Sequence, residues 1–345
     1  MKLKEFSVTP FSLTFRKPFH TSKAILKERK GFILSLSDLE GFKGEGEISP
    51  LAGFSIENLI DAEKQLFEIA NTILMNEIPE EKNELEKFTN GFNLHSSVKC
   101  GIEQAIISLI LKRNKIQLKD FFKRIPRESI PVNAVIGMLP VNAVLEKIKL
   151  LINDGFTTIK LKLGRNNFNA DLNLCSHVRS TFGGAIQLRG DCNGAWNFDQ
   201  AKKYLPQLTQ FNFAYIEQPT LNVNDFSALK NLSQIPIAAD ESIDSIATAR
   251  SIIQNKLADV LIIKPMHIGG VFSSLKIMDL AEQSKLKIIF TSLFESPVGK
   301  RLPILLSSLL REPLPCGLAT DGFFVSYLSA YPIINGHIHL QNFSL

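Results

Sequence analysis

Thr158-Ile159-Lys160-Leu161-Lys162-Leu163 alternates in strict period two, with Thr158, Lys160 and Lys162 on one face and Ile159, Leu161 and Leu163 on the other. A surface strand could show this pattern. In a strand interior to a barrel, the lysine face points into the barrel mouth and the apolar face meets the surrounding helices. Short β-branched or apolar runs recur on both sides of it, at 131–136, 185–191, 213–217, 235–240, 260–264, 287–292 and 315–320. Helix-competent stretches lie between them, at 141–153, 198–208, 242–254 and 271–284. Eight strands alternating with helices predict a parallel (β/α)8-type barrel. A doubly wound sheet would need a Gly-rich phosphate turn after its first strand, and Gly137-Met138-Leu139-Pro140 is not one.

In such barrels the chemistry sits at the C-terminal strand ends. Those ends carry Lys160 and Lys162, then Asp191, Glu217, Asp240 and Lys264, with Ser292 and Glu295 beyond. Successive positions from Lys162 to Lys264 are each about one βα unit apart, roughly 25 residues, so the groups converge on one mouth. Three carboxylates from consecutive strands form an all-oxygen donor set suited to Mg²⁺, with Mn²⁺ as a substitute. Each acid alone could be a helix cap; three in register, flanked by lysines, point to a site. Two ammonium groups side by side near a divalent cation favour a neutral amine, which predicts a lowered lysine pKa and base function. Lys264, ending the sixth strand, lies across the mouth. A metal between lysines suits removal of a proton α to a carboxylate, a step needing a tuned base and charge stabilisation.

The N-terminal third reads differently. Residues 3–16 alternate as a strand, and 31–36 with 41–48 read as a hairpin, followed by helices at 56–75 and 97–111. This predicts an α+β domain over 1–125, a barrel over 126–320, and a C-terminal segment over 321–345 that returns to the cap.

The 345 residues suffice for both domains, and 45% hydrophobic with 21% charged residues excludes a mainly disordered chain. The net charge of +5 is scattered, with no basic stripe, so no nucleic-acid partner is expected. No apolar run approaches membrane-spanning length, and Met-Lys-Leu-Lys-Glu-Phe is no signal sequence. Cys100, Cys175, Cys192 and Cys316 form no C-x-x-C pair. A cytoplasmic enzyme acting on a small carboxylate is the expectation; oligomeric state is not legible. His337-Ile338-His339 puts two imidazoles on one strand face, which we read as a solvated terminal strand.

The motifs Lys160-Leu161-Lys162, Asp191-Cys192-Asn193, Tyr215-Ile216-Glu217-Gln218-Pro219, Asp240-Glu241-Ser242 and Ile263-Lys264-Pro265 resemble the enolase superfamily, in the subgroup similar to muconate-lactonizing enzyme. The resemblance spans essentially the whole chain. It implies a modified TIM barrel, (β/α)7β, with an N-terminal α+β capping domain. Lys264 stands where enzymes of the mandelate racemase type carry a His–Asp dyad. Within the subgroup, Gly44 to Ser55, Asp191 to Trp196, Ser292 to Ser296 and Gly317 to Thr320 are most similar to the o-succinylbenzoate synthase family.

That likeness implies Mg-dependent syn-dehydration of 2-succinyl-6-hydroxy-2,4-cyclohexadiene-1-carboxylate to o-succinylbenzoate, a menaquinone-pathway step, through a metal-stabilised enolate. It implies Asp191, Glu217 and Asp240 as metal ligands and Lys162 as the base that returns its proton to the departing hydroxyl. Lys160 would tune Lys162, and Lys264 would stabilise charge from the opposite face. Cys192 replaces the Ala common there and is read as inert. Cap segments 17–21 and 51–55, with Phe54 and Ser55, would close the mouth. Ser292, Gly269 and Gly270 would meet the distal carboxylate of the substrate. The alternatives are a dipeptide epimerase or N-acylamino acid racemase, and a non-catalytic binding barrel. Dipeptide epimerases typically carry Asp-x-Asp at the end of the eighth strand to hold an amino group; here Asp321-Gly322-Phe323 follows that strand.

Overall fold

A computed structural model describes residues 1–345 except 21–24, 326–329, 342 and 344. The chain begins with a three-stranded antiparallel sheet: β1 (Leu3–His20), β2 (Ile25–Asp38) and β3 (Lys43–Ile48). Four helices follow: α1 (Leu59–Met75), α2 (Lys82–Asn90), α3 (Ser96–Asn114) and α4 (Leu118–Phe122). Asn58 starts α1 with a capping box closed by Asp61.

Helix α3 is buried on every side from Val98 to Leu111 apart from Lys99, because it lies between the cap sheet and the barrel. Glycines make this approach feasible. A Cβ on Gly46 of β3 would stand 1.9 Å from the Gly101 carbonyl oxygen. Any side chain there pushes helix and sheet apart.

The barrel runs β4 (Ser129–Pro131), β5 (Ala134–Ile136), α5 (Val141–Asn153), β6 (Thr158–Lys162), α6 (Phe168–Phe182), β7 (Gln187–Asp191), α7 (Phe198–Leu208), β8 (Phe213–Glu217) and α8 (Asp225–Lys230). It continues with β9 (Ile237–Ala239), α9 (Ile246–Gln254), β10 (Val260–Ile263), α10 (Gly270–Gln283), β11 (Lys287–Phe290) and α11 (Pro297–Ser308). Strands β5 to β11 form one seven-stranded parallel sheet in sequence order. The expected eighth strand, 315–320, closes the ring with single parallel bridges, Thr291 to Gly317 on one side and Val132 to Cys316 on the other. This is the modified barrel with an antiparallel N-terminal cap.

The expected first strand splits in two. Its start, β4, pairs antiparallel with β13 (His337–His339), which also pairs with β12 (Ile333–Ile334). The tail therefore adds its strand to the entrance of the barrel. Beyond it, the Ser108 hydroxyl in α3 donates to the Leu345 oxygen at 2.6 Å. Among the described residues no helix is long and apolar enough to cross a membrane.

Glu103 is a fully buried acid in α3, and burial pushes its carboxyl up to about 7 against relief from Lys99 and the Phe272 amide. An unfolded glutamate titrates near 4.3. The folded chain thus holds this proton more tightly, and the stabilisation, complete below the unfolded value, fades as pH rises through about 7. The Tm of Glu103→Gln minus that of the wild type should therefore be more positive at about pH 8 than at about pH 5. A difference independent of pH contradicts this.

Candidate functional site

Register gathers the charged strand ends. Lys162 pairs with Asp191, Asp191 with Glu217, and Glu217 with Ala238, so Asp240, two residues on, continues the row. Their apolar neighbours Ile159, Leu161 and Leu163 are buried, as the alternation requires. Asp191 and Glu217 are essentially inaccessible, and Asp240 is 5% exposed.

Each carboxylate meets an amine. Lys160 Nζ lies 3.0 Å and 3.1 Å from the two Glu217 oxygens and 3.1 Å from Asp191 Oδ2. Lys162 Nζ donates to Asp191 Oδ2 at 2.5 Å and to the Asn193 side-chain oxygen. Lys264 pairs with Asp240 and stands 4.5 Å from the centre of the Phe54 ring. Two lysines therefore sit at one end of the acid row and one at the other.

Burial works against charge on Lys160, but Asp191 and Glu217 outweigh it and hold the ammonium well above the ordinary lysine value. Two facing carboxylates are the larger effect. Burial also raises Asp191, yet Lys160 and Lys162 win and leave it below the usual carboxylate range. Burial and then the Asp191 charge push Glu217 up to about 7. Burial raises Asp240 against the pull of Lys264.

The oxygen chemistry fits a hard divalent cation. Asp191, Glu217 and Asp240 are acceptor-only groups on adjacent strand ends, and one positive charge, the Lys160 ammonium, already bridges two of them. Among the described residues no three His, Cys, Asp or Glu side chains are gathered at metal-coordinating spacing. In this structure the three acids point to lysines, and a cation would have to share or displace those contacts.

Above the row lies a cavity of about 850 Å³, counting space open to solvent. Its floor includes Lys160, Lys162, Asp191, Asp240 and Lys264. Its opposite wall is apolar, with Phe19, Leu51 and Phe54 from the cap and Leu293, Phe294 and Phe323 from the barrel and the segment after it. The rings of Phe19 and Phe294 are 4.5 Å apart, and Phe323 stands edge-on to Phe294 at 5.5 Å. Both expected cap segments reach the cavity, through Phe19 and through Leu51, Gly53 and Phe54; Thr21 lies outside the described residues.

Three expected substrate contacts are placed elsewhere. Gly269 and Gly270 do not line the cavity; they lie under α3, where a Cβ on Gly270 would be 2.7 Å from Glu103 and 2.9 Å from Cys100 Cα. The Ser55 hydroxyl accepts from the Leu51 amide at 2.9 Å and closes its own turn. Ser292 does line the cavity, but its hydroxyl donates to Glu295 at 2.5 Å and lies 3.1 Å from both the Phe294 amide and the Thr320 hydroxyl.

Other groups were not assigned roles from sequence. Glu241 accepts from Asn193 Nδ2 at 2.7 Å, and its other oxygen is buried with no hydrogen-bond partner among the described residues. Gln218 uses its oxygen to accept from the Asp240 amide at 3.1 Å, and so fixes the end of β9 beside Glu217. Arg189, buried in the barrel two residues before Asp191, donates to Asn133 at 2.9 Å and stacks on Tyr215 at 5.0 Å. Asn193 and Glu241 adjoin the motif acids, whereas nothing local in the sequence marks the aromatic wall.

Residues 143–315 match the family described as Enolase C-terminal domain-like, and residues 3–108 match the MenC N-terminal domain. The chain is 25% identical to the o-succinylbenzoate synthase of Bacillus subtilis, over 93% of this chain and 86% of that protein. It is 26% identical to the L-Ala-D/L-Glu epimerase of Francisella tularensis, covering 86% and 85%. It is 29% identical to Arabidopsis thaliana protein PHYLLO, chloroplastic, over 82% of this chain, but spans only 18% of that protein's length. Among solved structures, the dipeptide epimerase of Enterococcus faecalis complexed with Mg and L-Leu-L-Tyr superposes with a TM-score of 0.90 at 19% identity, over 100% and 98% of the two chains.

Proposed function

The chain belongs to the enolase superfamily, and from that premise we propose that it is an o-succinylbenzoate synthase, a Mg²⁺-dependent dehydratase. The observation that carries this reading is the arrangement of two lysines, three carboxylates and a third lysine along one row of strand ends. Asp191, Glu217 and Asp240 would hold the ion, which supplies positive charge for the substrate's carboxylate.

Lys162, 22% exposed, is the most accessible of the three amines and takes the α-proton. In a syn elimination the same ammonium gives that proton to the departing hydroxyl, so the C–H and C–O bonds break on one face, a C=C bond forms and water leaves. Lys160, held charged, neutralises the row from below. Lys264 faces the other side of the substrate and stabilises the developing negative charge without moving a proton. The phenylalanine wall suits the apolar cyclohexadiene ring and excludes water from it.

The choice between dehydration and epimerisation rests on the segment after the eighth strand. Asp321 is paired with Lys300, a fully buried ammonium, and is therefore engaged inside the protein. An epimerase of dipeptides would need an acid here for the substrate amine. Epimerisation remains the second reading because Lys264 puts an amine on the opposite face, as a two-base reaction requires. Incubation with dipeptides and N-acylamino acids in D₂O, followed by NMR, tests it: we expect no exchange of the α-proton. Exchange without dehydration of the diene would make the chain an epimerase or racemase.

A further inference from the structure

Two loops carry cavity residues into helices that meet the cap: 264–269 before α10, with Lys264, and 291–296 before α11, with Thr291 to Phe294. Each leads into a helix whose first turn is met by a buried glutamate of the cap. Glu103 of α3 accepts from the Phe272 amide at 3.1 Å and the Thr89 hydroxyl at 3.1 Å, with Lys99 at 3.8 Å. Glu47 of β3 accepts from the amides of Ser296 at 2.9 Å and Gly299 at 3.0 Å, and from the Ser49 and Ser296 hydroxyls. Neither glutamate has exposed surface.

The barrel leaves room for both. A Cβ on Gly270 would stand 2.7 Å from Glu103 Oε2, and one on Gly299 2.6 Å from Glu47 Oε2. Gln104 joins the two contacts: its oxygen accepts from the Glu47 amide at 3.3 Å, and its Nε2 donates to the Val298 carbonyl at 2.6 Å. An apolar face would dock a cap at less cost than two buried carboxylates, which need every bond they make. Free amides at a helix N-terminus supply those bonds and favour the negative charge.

We propose that Glu103 and Glu47 are positioning residues that set the two loops in register with the cap. Glu103 fixes α10 and hence Lys264. The turn between them has little slack, since Pro265 O accepts from the Gly270 amide at 2.8 Å and Lys264 O from the His267 amide at 2.9 Å. Glu47 fixes the loop that brings Leu293 and Phe294 into the cavity wall. The kinetic part rests on the role given to Lys264 above.

The test compares the wild type with Glu103→Gln, Glu47→Gln and Gly270→Ala, by hydrogen exchange and by steady-state kinetics. Glu103→Gln should speed amide exchange about tenfold within 264–272 and leave 292–299 unchanged; Glu47→Gln should do the reverse. Glu103→Gln should lower kcat about tenfold with KM held within about twofold, whereas Glu47→Gln should chiefly raise KM. Gly270→Ala, which crowds Glu103 and Cys100 at a φ of +95°, should speed exchange in the same 264–272 segment and add backbone strain of its own. Exchange that rises evenly through cap and barrel, or that does not change, overturns the inference. So does an unchanged kcat/KM pattern in a wild type that turns over. If the wild type turns over no carboxylate, the functional reading fails, and the exchange arm still decides the positioning role.

Discussion

Lys162→Ala is expected to lower kcat for dehydration by about 10³–10⁴-fold, the upper range for a lost general base. Lys162 ends β6 with its amine facing the cavity, and no other described amine lies beside it except Lys160, which is committed to Asp191 and Glu217. Removing Lys162 leaves Asp191 still paired with Lys160 at 3.1 Å, so the fold should persist and the loss should be catalytic. Stopped turnover with an unchanged Tm is the expected pair of results. Lys264→Ala is a contrast: it removes charge stabilisation rather than the base and should cost roughly 10²–10³-fold. Retained turnover in Lys162→Ala at saturating Mg²⁺ contradicts the assignment of the base.

The second large effect is expected at Asp191→Asn. This carboxylate is shared by Lys160 and Lys162 and would also face the ion. With an amide there, Lys162 loses its only carboxylate among the described residues while Lys160 keeps Glu217, and an uncompensated buried charge costs about 3–5 kcal/mol when fully desolvated. Lys160 and Lys162 are 13% and 22% exposed, so the penalty should fall below that range. Wild-type protein should gain about 2.7 kcal/mol of stability at Mg²⁺ one hundred times its Kd, a Tm rise of several degrees. In Asp191→Asn both that rise and turnover should vanish. An undiminished Mg²⁺-induced rise would remove Asp191 from the ligand set.

The parts that were legible in the sequence are those fixed by local periodicity. The period-two run at Lys160 and Lys162 gives the side-chain direction at once, and the even spacing of Asp191, Glu217 and Asp240 gives their row. The run 315–320 read as a full eighth strand, but it closes the barrel through only isolated bridges at Cys316 and Gly317, a pairing the pattern does not reveal. The first strand splits because its two parts take different partners, β4 the tail strand β13 and β5 the next barrel strand β6, with Val132 and Asn133 between them bonded to the tail at Gly336 and to Cys316. Helix α2 is nine residues long, and its stripe of Leu85, Phe88 and Thr89 is too short to announce it against so polar a background. The Gly269-Gly270 pair shows why glycine is ambiguous in sequence. It looked like an approach for substrate, yet the group nearest Gly270 is Glu103, about 165 residues earlier in the chain, and Gly269 faces Ser273 and Ser96. The aromatic wall joins β1, the β11–α11 loop and the segment after the eighth strand, a convergence only the fold creates.

The most direct test is to mix the chain with 2-succinyl-6-hydroxy-2,4-cyclohexadiene-1-carboxylate, with Mg²⁺ and then with excess EDTA, and follow the loss of the diene absorbance. Conversion to o-succinylbenzoate that needs Mg²⁺ and returns when the ion is restored is the predicted result. No conversion, with α-proton exchange on a dipeptide under the same conditions, would contradict it.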